Sequence, residues 1–208
     1  MTKISFVYFD VGGVVVQDFS GNNKRHEMFE FIGVPATREK KFGKYFDQVE
    51  INSSRGVDID TFKPDLISKF NLIIPANFSF LDYFANHLES NPSLWPLIYS
   101  LKVNYKIGLL TDMYPGLLDR IRELDLLPPV NWDTIIDSSV EKFQKPDKKL
   151  YLIAEKRTGV RPQEILFVDN LQVNLNPAIE RGWQTFLYDP RELQKSSQEL
   201  SDLLSHNL

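Results

Sequence analysis

The sequence predicts an α/β protein: a parallel sheet core that carries an inserted helical lobe. Three observations lead there. The stretch Ile4 to Val16, ISFVYFDVGGVVV, opens as an apolar, β-branched and aromatic run of buried-strand character and stops on a single acid, Asp10, ahead of Gly12 and Gly13. From Asn91 onward, short apolar runs alternate with helical patterns long enough for the right-handed crossovers that parallel strands require. Between Gln17 and Asn91 the periodicity is helical, with no convincing buried strand. The expected domains are a core of residues 1–16 and 92–208 and a helical lobe of residues 17–91.

Composition bounds the reading. A chain of 208 residues suits one domain with an insertion, and a hydrophobic share of 42% against 25% charged residues supplies a sizeable core. A net charge of −4 argues against a general binder of nucleic acid or anionic membrane. An anionic ligand therefore needs local positive charge, from a metal or a placed lysine. The absence of cysteine excludes disulfides, thiol catalysis and cysteine-held zinc, and a reducing cytoplasm is the default expectation. The start MTKISFVYFD runs from its lysine into Asp10 rather than through a long apolar stretch to a cleavage site, so no signal peptide is expected. No run nears the roughly 20 apolar residues of a membrane span. A monomer or homodimer is expected, and no internal repeat or low-complexity tract is visible.

The elements follow in order. A helix beginning near Pro35-Ala36-Thr37 sets Phe42, Tyr45, Phe46 and Val49 on one face. The turn Arg55-Gly56-Val57-Asp58 ends it, and Asp60 is the expected cap of a second helix with Phe62, Leu66 and Phe70. Leu81, Phe84, Ala85 and Leu88 mark a third, and these aromatic stripes read as the core of the lobe itself. Asn91-Pro92 reads as the cap and first residue of a helix burying Leu94, Leu97, Ile98 and Leu101. Tyr105 to Leu110 is a strand ending on Thr111-Asp112, and a helix from near Pro115 carries Leu118, Ile121 and Leu124. Thr134 to Asp137 is the third strand; Asp147 caps a helix that Gly159 stops after Thr158. Ile165 to Val168 is the fourth strand, ending on Asp169; a short helix ends at Arg181-Gly182, and Thr185 to Tyr188 is the fifth strand. Leu193, Leu200, Leu203 and Leu204 outline an outer amphipathic helix.

Parallel strands share one carboxyl edge, where open α/β folds bind their ligands. Asp10, Thr111 and Asp169 stand at that edge, and the loop after the third strand delivers Lys145. Two acids, a hydroxyl and a lysine in one crevice suit phosphoryl transfer. A carboxylate can attack phosphorus to form an aspartyl-phosphate, provided the phosphoryl oxygens are neutralised. Magnesium held by Asp10 and Asp169 does this, while Lys145 and the Thr111 hydroxyl bind the remaining oxygens. Gly12 and Gly13 let the backbone approach a ligand closely, having no side chain to block it.

The order of these segments resembles the haloacid dehalogenase-like (HAD) hydrolase superfamily across essentially the whole chain. FDVGGVVV matches its first motif, LLTD the second, Lys145-Pro146-Asp147 the third and FVDN the fourth. The insertion after the first motif resembles the C1-type cap of subfamily I, and the first motif is similar to that of the sugar-phosphatase and epoxide-hydrolase N-terminal phosphatase-like branch. The resemblance implies a Rossmann-like core with strand order 5-4-1-2-3, Mg2+ as cofactor, and a small phosphorylated metabolite as substrate, sugar phosphates included. It implies Asp10 as nucleophile and metal ligand, the Gly12 carbonyl and Asp169 as further metal ligands, and Thr111 and Lys145 as catalytic groups on the phosphoryl oxygens. Gly12, Gly13 and Asp112 would adjoin the substrate, although Asp112 also reads as solvent-facing or bonded to local backbone. Asn170 and Asn174 would support the metal site from behind.

One departure matters: related phosphatases usually have a second aspartate two positions after the nucleophile, as general acid, and here that position is Gly12. Two other functions stay open beside the phosphatase. One is a metal-independent 2-haloacid dehalogenase in which Asp10 displaces halide; the other is an impaired or non-enzymatic homologue that binds a phosphorylated ligand or a partner. Lys142 is either a surface charge or an intruder on the site. His26, His87 and His206 lack metal spacing and read as surface or packing residues. Arg55 and Asp58 flank Gly56 in a turn that is solvated or overhangs the crevice, and Asp18 is near enough in sequence to reach the hinge of the lobe.

Overall fold

Strand β1 (Phe6–Phe9) is buried along its whole length, as a strand apolar on both faces must be when helices cover both sides of a sheet. The short strand β2 (Val16–Gln17) follows it and pairs antiparallel with β3 (Glu89–Ser90), closing the base of the helical segment between them. Strands β4 (Lys106–Thr111), β5 (Thr134–Asp137), β6 (Ile165–Asp169) and β7 (Gln184–Leu187) join β1 in a parallel sheet of order β5-β4-β1-β6-β7. Counted within this sheet alone, the order is the expected 5-4-1-2-3 read from the opposite edge. The labels differ because the sequence did not announce β2 and β3, two residues each being too few to show an alternation. The structure is a computed structural model describing residues 3–20 and 22–205; His206 lies outside the described residues.

Side chains of β1 alternate between two apolar layers: Val7 and Phe9 face one, Phe6 and Tyr8 the other. In the second layer Tyr8 stacks on Trp183 at 5.9 Å and donates its hydroxyl to the Ala154 carbonyl at 2.9 Å. The first layer runs without a break into the helical segment. There α1 (Lys24–Phe31), α2 (Glu39–Ser53), α3 (Lys63–Phe70) and α4 (Phe80–Asn86) pack around Phe42, Phe46, Phe70 and Phe80. These stripes form more than a core of their own, because Phe19 and Tyr114 meet Phe84 at 5.0 and 5.4 Å and join them to the sheet's apolar layer. Helix α1 was not expected: it buries only Met28 and Phe29, too little to leave a stripe in the sequence.

Two expected caps act elsewhere. Asp58, not Asp60, caps the short 3-10 turn at Ile59–Phe62, while Asp60 accepts from the Ser79 hydroxyl and the Phe80 N–H and so ties α4 to that turn. Asn91 does not cap α5 (Trp95–Asn104); it is buried and donates to the Val14 carbonyl at 2.7 Å and to Tyr188 Oη at 2.9 Å. The helix starts later because burial pulls this amide inward. Beyond it, α6 (Leu117–Glu123), α8 (Lys148–Thr158), α9 (Gln172–Glu180) and α10 (Leu193–Ser205) stand where expected, and a short α7 (Ser138–Glu141), between β5 and α8, was not expected. Asp147 caps α8 by accepting from Lys149 N–H at 2.9 Å, and Gly159 ends it in the left-handed region at φ 68°. No helix among the described residues is long and apolar enough to cross a membrane.

Candidate active site

The carboxyl edge of the sheet gathers four of the expected groups. Asp10 follows β1 directly; its backbone N–H continues the pairing to the Val168 carbonyl, and its Oδ1 accepts from the Val11 N–H at 2.7 Å. Asp169 ends β6, where Oδ1 accepts from the Leu171 N–H at 2.8 Å and Asn174 Nδ2 lies 3.1 and 3.2 Å from its two oxygens. Lys145 arrives from the loop between α7 and α8. Its backbone N–H donates to Asp112 Oδ1 at 3.0 Å, which fixes the loop against the end of β4. Its Nζ then sits 2.7 Å from Asp10 Oδ2 and 2.7 Å from Asp169 Oδ2. The three are 6%, 3% and 0% exposed for Asp10, Lys145 and Asp169, so water screens this cluster little.

Burial pushes the Asp10 carboxyl well above its usual range; Lys145 pulls against that and Asp169 adds to it. Burial also works against the charge on Lys145, but Asp10, Asp169 and Asp112 outweigh it and hold the proton on. Asp112 is likewise raised by burial. One ammonium thus serves three acids, and a second cation would relieve the imbalance.

The donor set fits magnesium. Two carboxylates whose oxygens both reach one nitrogen can reach one ion, and magnesium takes one or two carboxylates with the rest of its shell from water and substrate phosphate. No group of three or more His, Cys, Asp or Glu with metal-holding geometry occurs among the described residues, and this ion does not need one. Thr111 ends β4 fully buried, and its Oγ1 has no hydrogen-bond partner. An unpaired buried hydroxyl costs about 1–3 kcal/mol, which a ligand oxygen would relieve.

Other expectations are corrected. Asp112 is neither solvent-facing nor locally bonded, since it holds Lys145 N–H from 33 residues away. Asn170 turns from Asp169 toward Ser20 Oγ at 3.4 Å and crowds Gly13, so Asn174 alone of the two asparagines supports Asp169. The glycines admit side chains of this chain: at φ +73° Gly13 leaves room for the Asn170 amide, and Gly12 for the Asp18 carboxyl. Of the two readings of Lys142 the structure favours the surface charge: it is exposed and donates to the Ser139 carbonyl at 2.7 Å beside Gly56. Arg55 is exposed, and Asp58 spends its carboxylate on the Asp60 N–H. His26 pairs with Glu39 and His87 with the Tyr83 carbonyl, away from the crevice.

Sequence reasoning missed a second polar group. Next to Gly12 and Asp112 lies a cavity of about 200 Å³ whose lining includes Asp18, Glu50, Phe84 and Tyr114. Glu50 accepts from Tyr114 Oη at 2.9 Å and pairs with Arg25 at 2.9 Å. Burial raises its carboxyl, with Arg25 and Tyr114 opposing, and burial likewise raises Asp18, with the Ser20 N–H opposing. The signal for Glu50 was present but weak: it stands one helical turn after Phe46, at the edge of the buried stripe of α2, and is only partly buried.

With this geometry established, comparison with known proteins is informative. Bifunctional epoxide hydrolase 2 of Rattus norvegicus is 25% identical over 134 residues, 59% of this chain and 24% of that protein, so the match spans about a quarter of it. A predicted HAD-like family hydrolase from Porphyromonas gingivalis superposes with a TM-score of 0.78 at 24% identity, covering 98% of each chain. A HAD family enzyme from Bacteroides thetaiotaomicron, in complex with magnesium and inorganic phosphate, gives 0.72 at 17% identity over 89% of this chain and 94% of its own. Both structural likenesses are likenesses of fold. A family model, haloacid dehalogenase-like hydrolase, matches residues 6–172, which takes in every one of the converging residues, and the chain is a member of that family of hydrolases.

Proposed function

We propose that this chain is a magnesium-dependent phosphatase of small phosphorylated metabolites, acting through an aspartyl-phosphate on Asp10. The observation that carries this reading is the convergence of Asp10 Oδ2 and Asp169 Oδ2 on one Lys145 ammonium, beside a buried Thr111 hydroxyl without a partner. Asp10 attacks phosphorus; Lys145 steadies the nucleophile and then the phosphoryl oxygens as their charge reorganises; Thr111 donates to one of those oxygens. Asp169, held by Asn174 and the Leu171 N–H, stays aimed at the crevice. Asp10, Asp169 and the Gly12 carbonyl would hold magnesium, which would neutralise charge on the phosphoryl group when bound. The helical segment of residues 17–91 serves as the cap, presenting Glu50 and Phe84 to the cavity beside Gly12. The relative solved with magnesium and phosphate supports the choice of cofactor and ligand class.

The test is hydrolysis of 4-nitrophenyl phosphate with magnesium. Turnover is expected, and it should stop with EDTA and with Asp10→Asn. Full activity in either condition rejects the mechanism, and halide release from chloroacetate without turnover of any phosphate ester would replace it with dehalogenation.

A further inference from the structure

A departing alkoxide needs a proton, and the groups already described are poorly placed to give one. Lys145 is shared between Asp10 and Asp169, and Asp112, with one oxygen on the Lys145 N–H, is tied to the loop that holds that ammonium. Glu50 has both oxygens engaged, Oε1 by the Tyr114 hydroxyl and Oε2 by Arg25. Asp18 differs. Its Oδ1 accepts from the Ser20 N–H at 2.8 Å, which orients the carboxyl, and its Oδ2 lies 2.7 Å from where a Cβ on Gly12 would stand. Any side chain at position 12 would displace it. Asp18 also lines the cavity that opens beside Gly12 and Asp112.

We propose that Asp18 is the acid–base group of the reaction, lowered over Gly12 into the place that a side chain at position 12 would otherwise fill. The proposal rests on the phosphatase reading. In the first half-reaction Asp10 forms a bond to phosphorus, the phosphorus–oxygen bond to the alcohol breaks, and the Asp18 carboxyl gives its proton to the departing oxygen. In the second, water attacks phosphorus and passes a proton to the Asp18 carboxylate, the bond to Asp10 breaks, and phosphate leaves. Both carboxyl groups return to their starting state. Gly12 is then a requirement of the arrangement and not a loss of function.

The test compares two probes of similar size whose alcohols differ in their need for a proton: benzyl phosphate, whose alkoxide leaves poorly, and 4-nitrophenyl phosphate, whose phenolate leaves unaided. With magnesium present, Asp18→Asn is expected to lower kcat/KM for benzyl phosphate roughly a hundredfold or more, and for 4-nitrophenyl phosphate by less than about tenfold. Turnover of the second probe doubles as proof that the site is folded. Moving the carboxyl, in the double variant Gly12→Asp with Asp18→Gly, should keep the ratio of the two activities within about tenfold of wild type. Equal losses on both probes, an unchanged benzyl phosphate activity in Asp18→Asn, or a double variant with the same low ratio as Asp18→Asn would each overturn the role of Asp18. Wild-type protein that hydrolyses neither probe would overturn the phosphatase reading itself, and this role with it.

Discussion

The α/β core and the helical segment hold their buried polar groups in different ways. In the core, charge is held by charge: Asp10, Lys145 and Asp169 come from three separate stretches and satisfy one another, with backbone N–H groups and Asn174 completing the set. In the helical segment the interior is a stack of rings, Phe42, Phe46, Phe70 and Phe80 among them, and its acid Glu50, only partly buried, is shared between Arg25 of the same segment and the Tyr114 hydroxyl of the core. The difference teaches that the charged cluster is interdependent and unforgiving, whereas the ring stack of the helical segment can be altered through packing without touching those charges.

That contrast can be broken or sharpened by mutation. The largest effect is expected from Lys145→Met, which leaves two buried carboxylates facing each other; urea unfolding should show a loss of about 3–5 kcal/mol, with no measurable turnover. A variant as stable as wild type would break the comparison, because the ammonium would then not be what holds the acids together. Phe46→Ala should cost about 3 kcal/mol by the same measurement while turnover per folded molecule stays close to wild type. A collapse of turnover in the folded fraction would show that the ring stack positions the chemistry after all.

Smaller effects probe the seam between the two regions. Gly56 adopts φ +96° and a Cβ there would stand 2.6 Å from the Ser139 carbonyl and against Lys142 Nζ. Gly56→Ala is therefore expected to lower stability by about 1–3 kcal/mol, read from thermal unfolding, and to change KM more than kcat if the segment gates the cavity. The smallest effect belongs to Asp147→Ala, which removes the cap of α8 at about 1 kcal/mol in the same assay and leaves activity intact, since that carboxylate holds a backbone N–H of its own helix and none of the converging charges.

The sequence by itself determined the strand ends and the cap of α8. An apolar run stopping on Asp10, on Thr111 or on Asp169 is legible because strand formation depends on a few neighbouring residues, and parallel pairing then brings all three ends to one edge. The stripe Phe42, Phe46, Val49 was legible for the same reason, a helix repeating within four residues. Where the side chains turn was decided only by tertiary structure. Asp112 holds a backbone N–H 33 residues away, Asn91 leaves its expected cap for Val14 and Tyr188, and Asp18 settles over Gly12. Each of these is a short polar side chain with several partners within reach, and the choice is made by which buried group would otherwise be left without one, a condition that exists only after the sheet and its helices have closed around it.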